Sequence, residues 1–249
     1  SEAEATFDDL STFAGEDKAA LFPAWEVLPS DIMNPADDIV AERMNTMKRL
    51  ASAMERGTPM CVVMPVRSLL QRVPDPKRLT GDTLTIKVDV ECPIDALLEK
   101  LIRMGYTRDV MVENRGEVSV RGGIVDIFPI SSELPYRIEY FGDEVESIRR
   151  FEPETQRSVE QVTEIQILPR SEKLLLNDLA KTNSLSEITK YFPPETIVAV
   201  DEPLAVREEA ESVLAQVTDS PFYLPWEEAD KKLSRFNRFS IAQVAHAKA

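Results

Sequence analysis

A chain of 249 residues has room for one large domain or two to three small ones, and its hydrophobic content of 43% is that of a core-forming globular protein. A net charge of −15 excludes a surface built mainly to coat phosphate backbones. The single histidine, His246 in an Ala-rich tail, reads as solvated and nearly removes His-based triads and His-rich metal sites.

The start, SEAEATFDDL, is acidic and has no basic segment followed by an apolar one, so no secretory signal is visible. No apolar run approaches the roughly 20 residues that a membrane helix needs. These features lead us to expect a cytoplasmic protein without a membrane partner. The chain opens on Ser1, and we expect it to be part of a longer protein. Cys61 and Cys92 are far apart and read as two buried, reduced thiols.

Residues 1–82 read as alternating α and β elements. Ala20-Leu21-Phe22 is a short apolar run that leads into Pro23-Ala24-Trp25-Glu26 and a Pro-rich loop reaching Pro35. Asp37 or Asp38 can cap a helix running to about Arg56, with Ile39, Val40, Met44, Met47, Leu50 and Met54 at helical spacing. Gly57 stops it. The run Met60–Met64 predicts a strand buried on both faces of a parallel sheet, and a short helix at Val66–Gln71 follows Pro65.

The middle changes character. Leu84–Val88 alternates like a half-buried strand, and Pro93 opens a helix that ends near Gly105. Short strands are predicted at Arg108–Glu113, Glu117–Arg121, Ile124–Pro129, Tyr136–Phe141 and Val145–Phe151, with one last strand within Gln161–Pro169. Gly122-Gly123 and Gly142-Asp143 mark turns or bulges between them. Residues 83–169 thus read as a small β-rich domain with one helix.

Residues 170–249 return to α/β. Helices are predicted at Leu174–Leu185, Ser186–Phe192 and Pro203–Val217, with a buried strand at Thr196–Asp201. The acidic balance of this stretch reads as a solvated helical surface.

Catalytic signatures are missing. A P-loop needs a Gly-rich turn followed by Lys and Ser or Thr, and none of the eight glycines precedes a lysine. A G-x-G-x-x-G pattern is absent as well. Acidic pairs such as Asp143-Glu144 and Asp201-Glu202 are expected by chance among 44 acidic residues. Asp143 fits a hairpin turn, and Asp201 fits the end of a strand.

One ordered set of motifs is more specific. Val120-Arg-Gly-Gly-Ile-Val-Asp-Ile-Phe-Pro129 is followed by Pro135-Tyr-Arg-Ile-Glu-Tyr-Phe-Gly-Asp-Glu-Val-Glu-Ser-Ile-Arg149, then Thr155-Gln-Arg-Ser158 and Ile167-Leu-Pro169 with Glu172. This set resembles the UvrB-like module shared by the excision-repair protein UvrB and the transcription-repair coupling factors. Phe22-Pro-Ala-Trp-Glu-Val-Leu-Pro29, Asp38–Arg43 and Pro65–Arg72 resemble the coupling-factor version, which lacks the nucleotide loop of UvrB. The alternative is a truncated UvrB-type ATP-dependent helicase.

The resemblance implies an α/β fold in which parts of a degenerate RecA/P-loop-like domain (1–82 and a truncated 170–249) flank a small UvrA-interaction domain (83–169). It implies recruitment of UvrA to stalled transcription complexes in transcription-coupled repair, through Arg121, Arg137 and Phe141. The parent protein would also bind RNA polymerase and double-stranded DNA, and ATP with magnesium would act only in its motor domains. No catalytic, metal or cofactor residue is expected in this chain. Structural alternatives stand beside each site residue. Arg121 could pair with an acidic neighbour on its sheet, Arg137 with Glu139, and Phe141 could be core. Period-two alternation puts Arg137, Glu139 and Phe141 on one strand face, so an exposed Arg137 predicts an exposed Phe141. Alanine at Arg121 and Arg137 together is expected to abolish UvrA binding and leave the fold intact.

Overall fold

The computed structural model describes residues 2–28, 34–217 and 220–242. His246 and Pro29, named above, lie outside the described residues. In chain order the elements are α1 (Glu2–Ala14), β1 (Ala19–Leu21), α2 (Asp37–Arg56), β2 (Cys61–Val63), α3 (Val66–Leu70), α4 (Pro76–Asp82), β3 (Leu84–Lys87) and α5 (Ile94–Arg103). Then come β4 (Thr107–Arg108), β5 (Glu117–Arg121), β6 (Ile124–Ile127), β7 (Tyr136–Phe141), β8 (Glu144–Phe151), β9 (Ser158–Val162) and β10 (Glu164–Ile167). The rest are α6 (Glu172–Lys181), a 3-10 turn at Ile188–Tyr191, β11 (Ile197–Asp201), α7 (Pro203–Gln216), α8 (Trp226–Leu233) and β12 (Asn237–Ile241). The fold is mixed α/β.

Two compact units divide the chain. The first comprises Ser1–Asn34, Thr46–Pro76 and Asp178–Ala249, and the second Pro35–Asn45 and Lys77–Asn177.

The second unit is built on a six-stranded sheet in the order β4-β5-β6-β7-β8-β9. β4 runs parallel to β5, and every other neighbour is antiparallel. Alternation is clearest in the central strand β7. In β7, Tyr136, Ile138 and Tyr140 are buried while Arg137 and Glu139 are half-buried and Phe141 is exposed. The apolar set forms one core with Val118, Val125, Ile127, Val145 and Ile148 of the sheet, Leu97 and Leu101 of α5, and Leu84, Ile86, Ile165 and Ile167 of the β3/β10 pair. At roughly 1.5–3 kcal/mol per fully buried large apolar side chain, this cluster is the main source of the unit's stability.

Two hairpins fix the register. Arg121 pairs with Ile124 across Gly122-Gly123, and Phe141 pairs with Glu144 across Gly142-Asp143. Gly122 and Gly142 both adopt left-handed backbone, φ 59° and 62°, at the first loop position, as tight two-residue hairpins with glycine there require. Gly123 has a different reason: a Cβ there would stand 3.2 Å from the carbonyl oxygen of Tyr140. A bulge between Glu139 and Tyr140 shifts the β7–β8 register, so Glu146 of β8 has no opposite residue.

Several expected elements differ. The strand predicted at Arg108–Glu113 is only Thr107–Arg108, after which the chain turns away; Ser119 Oγ donates to the Val110 carbonyl oxygen at 2.7 Å. The last strand expected within Gln161–Pro169 is β10, which pairs with β3, while β9, largely before that range and not expected, joins the large sheet. Ser186–Phe192 is a short 3-10 turn rather than an α-helix.

In the first unit β1 and β2 pair in parallel, as the apolar runs suggested, but β2 is half-buried rather than enclosed on both faces. β11 pairs in parallel with β12 and alternates between exposed and half-buried residues, so the expected buried strand is corrected. Leu70, Ala210, Val213, Val217, Tyr223, Leu224 and Ala229 form this unit's cluster, with Gln71 Nε2 donating to the Tyr223 hydroxyl at 3.0 Å. Cys61 and Cys92 are unpaired thiols, half-buried rather than buried. Among the described residues no helix is long and apolar enough to cross a membrane, and no group of His, Cys, Asp and Glu could hold a metal ion.

Candidate functional site

The face of the large sheet opposite its core carries the three residues that the motifs single out. Cross-strand register builds this face in rows. One row runs Ser119, Asp126, Arg137, Arg149 and Gln161 across β5 to β9. The next runs Arg121, Ile124, Glu139 and Ser147. Phe141 stands beyond Glu139 on the same face, at the sheet end that also holds the Gly122-Gly123 turn: the Tyr140 amide donates to the Gly123 carbonyl oxygen.

Asp126 organises the face. Its side chain is 1% exposed. Oδ1 accepts from Arg137 Nε at 2.7 Å, and Oδ2 accepts from Arg137 Nη2 at 2.8 Å and from Arg121 Nη2 at 2.7 Å. Buried charge is tolerated only when paired and hydrogen-bonded, and two guanidiniums on one carboxylate meet that demand. The hydrogen bonds from Arg137 to Asp126 push the arginine's pKa above its ordinary value, against the opposing effect of burial.

Arg137 is held on three sides. Besides Asp126, its Nη2 donates to Gln156 Oε1 at 2.8 Å, and its guanidinium carbon lies 4.5 Å from the centroid of the buried Phe151 ring. Gln156 sits in left-handed backbone, φ 59°, in the turn before β9. Arg121 is different. Its side chain is 49% exposed and Asp126 is its one ion-pair partner among the described residues.

Glu139 does not pair with Arg137, as the i, i+2 spacing allowed. It accepts from Ser147 Oγ and from Arg149 Nη2, both on β8. The Ser147 hydrogen bond, with help from the Arg149 charge, holds the Glu139 carboxyl below the usual carboxylate range. Phe141 is 82% exposed and takes no part in the core. The face therefore joins three guanidiniums and two carboxylates to one exposed aromatic ring, in a chain whose overall charge is −15.

The motif reading singles out Arg121, Arg137 and Phe141, and the fold brings all three to one face. It missed Asp126, Phe151, Gln156 and Arg149. The signal for Asp126 lies in the hairpin: a two-residue turn at Gly122-Gly123 sets Ser119 opposite Asp126, and Asp126 opposite Arg137 follows from β6–β7 pairing. The expected double alanine variant also needs correcting, because removing both arginines would strand a buried carboxylate.

This sheet, with its two glycine hairpins, lies within a stretch that matches the family model of the UvrB interaction domain over residues 84–172. Residues 84–172 are a UvrB interaction domain. Three curated relatives carry the name transcription-repair-coupling factor. That of Escherichia coli is 38% identical over 165 residues, covering 66% of this chain and 14% of the relative. The Bacillus subtilis protein is 34% identical over 187 residues, covering 75% of this chain and 16% of the relative. In Mycobacterium tuberculosis the figures are 41% over 149 residues, 59% of this chain and 12% of the relative. The chain thus spans a small part of the length of the relatives it matches, and that part includes the UvrB interaction domain.

Proposed function

We propose that this chain acts by binding rather than by catalysis, recruiting the damage-recognition protein UvrA in transcription-coupled nucleotide excision repair. The observation that carries the reading is the exposed Phe141 ring on the same sheet face as the half-exposed Arg121, a face ordered by Asp126. Aromatic and arginine side chains dominate the energetics of protein interfaces, and both stand outside any core of their own unit.

The whole protein would couple this recruitment to stalled RNA polymerase on double-stranded DNA, in the cytoplasm. ATP and magnesium would serve the motor domains of the whole protein. The UvrB interaction domain supports the recruitment of UvrA, and the names of the similar coupling factors support the link to transcription and repair. Arginine offers five donors, and Arg121 spends one on Asp126, so a carboxylate of the partner can take up others. Titrating the chain with UvrA by calorimetry tests the reading: saturable one-site binding supports it, and the absence of heat at high micromolar concentrations of both proteins opposes it.

A further inference from the structure

We infer that Asp126 is a positioning residue for partner binding: buried beneath the candidate face, it sets the direction in which Arg121 presents its free donors. This rests on the recruitment reading above and adds to it a residue that touches no partner itself.

The geometry separates the two arginines. Arg137 keeps Gln156 and the Phe151 ring if Asp126 is lost. Arg121 keeps no other ion pair among the described residues, and half of its side chain is in solvent. A free arginine side chain samples many rotamers, and ordering it on binding costs affinity. The Asp126 carboxylate removes that cost before the partner arrives. It is itself immobile, because it is 1% exposed and its two oxygens accept three hydrogen bonds. Its location on β6, opposite Ser119 and Arg137, ties Arg121 to the sheet rather than to the mobile tip of a side chain. A carboxylate on a surface usually weakens an arginine's attraction for an acidic partner. Here the charge is spread over two guanidiniums, so the pair retains a net positive charge facing outward.

The test is a double-mutant cycle read as dissociation constants for UvrA, with folding followed by circular dichroism. Asp126→Asn removes the charge. Asp126→Glu keeps the charge and moves it by one methylene, so it serves if the asparagine variant does not fold. Each is expected to weaken binding about tenfold. Combined with Arg121→Ala, either should add little to the loss from Arg121→Ala alone, because the positioning residue acts through that arginine. A merely structural role would add its full loss on top of Arg121→Ala, and that result overturns the inference. So does parental affinity in a folded Asp126 variant when Arg121→Ala is weak. Parental affinity in Arg121→Ala itself would overturn the contact assigned to Arg121, and the inference with it.

Discussion

Arg121 and Arg137 stand on different strands, β5 and β7, yet their Nη2 atoms donate to the same oxygen, Oδ2 of Asp126 on the strand between them. This shared acceptor makes the two arginines unequal in what they do for the protein. Arg137 is 17% exposed and completes the neutralisation of a buried charge, whereas Arg121 spans from that charge into solvent.

Arg137→Ala should therefore cost stability. It removes two hydrogen bonds from Asp126 and the guanidinium over Phe151. Breaking a buried pair by deleting one partner costs about 3 kcal/mol at the lower end of the usual range, which suits an arginine that keeps some solvent contact. Urea unfolding should show a lower midpoint with an unchanged slope.

Arg121→Ala and Phe141→Ala should leave stability within about 0.5 kcal/mol, as surface substitutions do. Asp126 keeps Arg137 in the first case, and the Phe141 ring has no core to leave in the second. The same urea titration checks this. A loss at Phe141 as large as that at Arg137 would mean that the ring packs against something essential to the fold.

Acid should weaken the outer face through Glu139. Its carboxyl titrates below the ordinary carboxylate range in the folded state, chiefly through Ser147 and then Arg149. A depressed folded-state pKa gives a contribution that is complete above the unfolded carboxylate pKa and is lost as pH falls through the folded one. Stability measured from neutral pH downward should fall in that acid window, and Glu139→Gln should flatten the fall. An unchanged acid limb in Glu139→Gln would show that Ser147 and Arg149 hold no charge there.

Within the same unit, Arg43 Nε and Nη2 donate to the two oxygens of Glu172 at 2.7 and 2.8 Å, with both side chains fully buried. Glu172→Ala should destabilise by about 3–5 kcal/mol, because it removes the two carboxylate oxygens to which the buried Arg43 guanidinium donates. Arg43→Met combined with Glu172→Leu should recover most of that loss. Thermal unfolding of the three variants decides it: a double variant as unstable as the single would mean that the pair's geometry, and not its charge, is what the interior needs.

Much of the candidate face was legible because strand periodicity is local. Tyr136, Ile138 and Tyr140 against Arg137, Glu139 and Phe141 can be read from six consecutive residues, and the structure keeps that division. The glycine turns were equally readable, since Gly122 and Gly142 need backbone that other residues resist. Asp126 was not legible in this way. Its partners lie 5 and 11 residues away, and only hairpin register decides that Arg137 faces Asp126 and not Glu139. The strand expected at Thr196–Asp201 forms, but its burial was not legible for a related reason. An apolar run reports that a strand can form, but not how much of each face its neighbours cover, and here residues remain exposed along it.

Whether Phe141 is bound by the partner is read from the dissociation constant of UvrA for Phe141→Ala against the parent chain. Weakening of at least about tenfold, with unfolding unchanged, is the predicted result. Parental affinity in the folded variant would mean that Phe141 is not a UvrA contact.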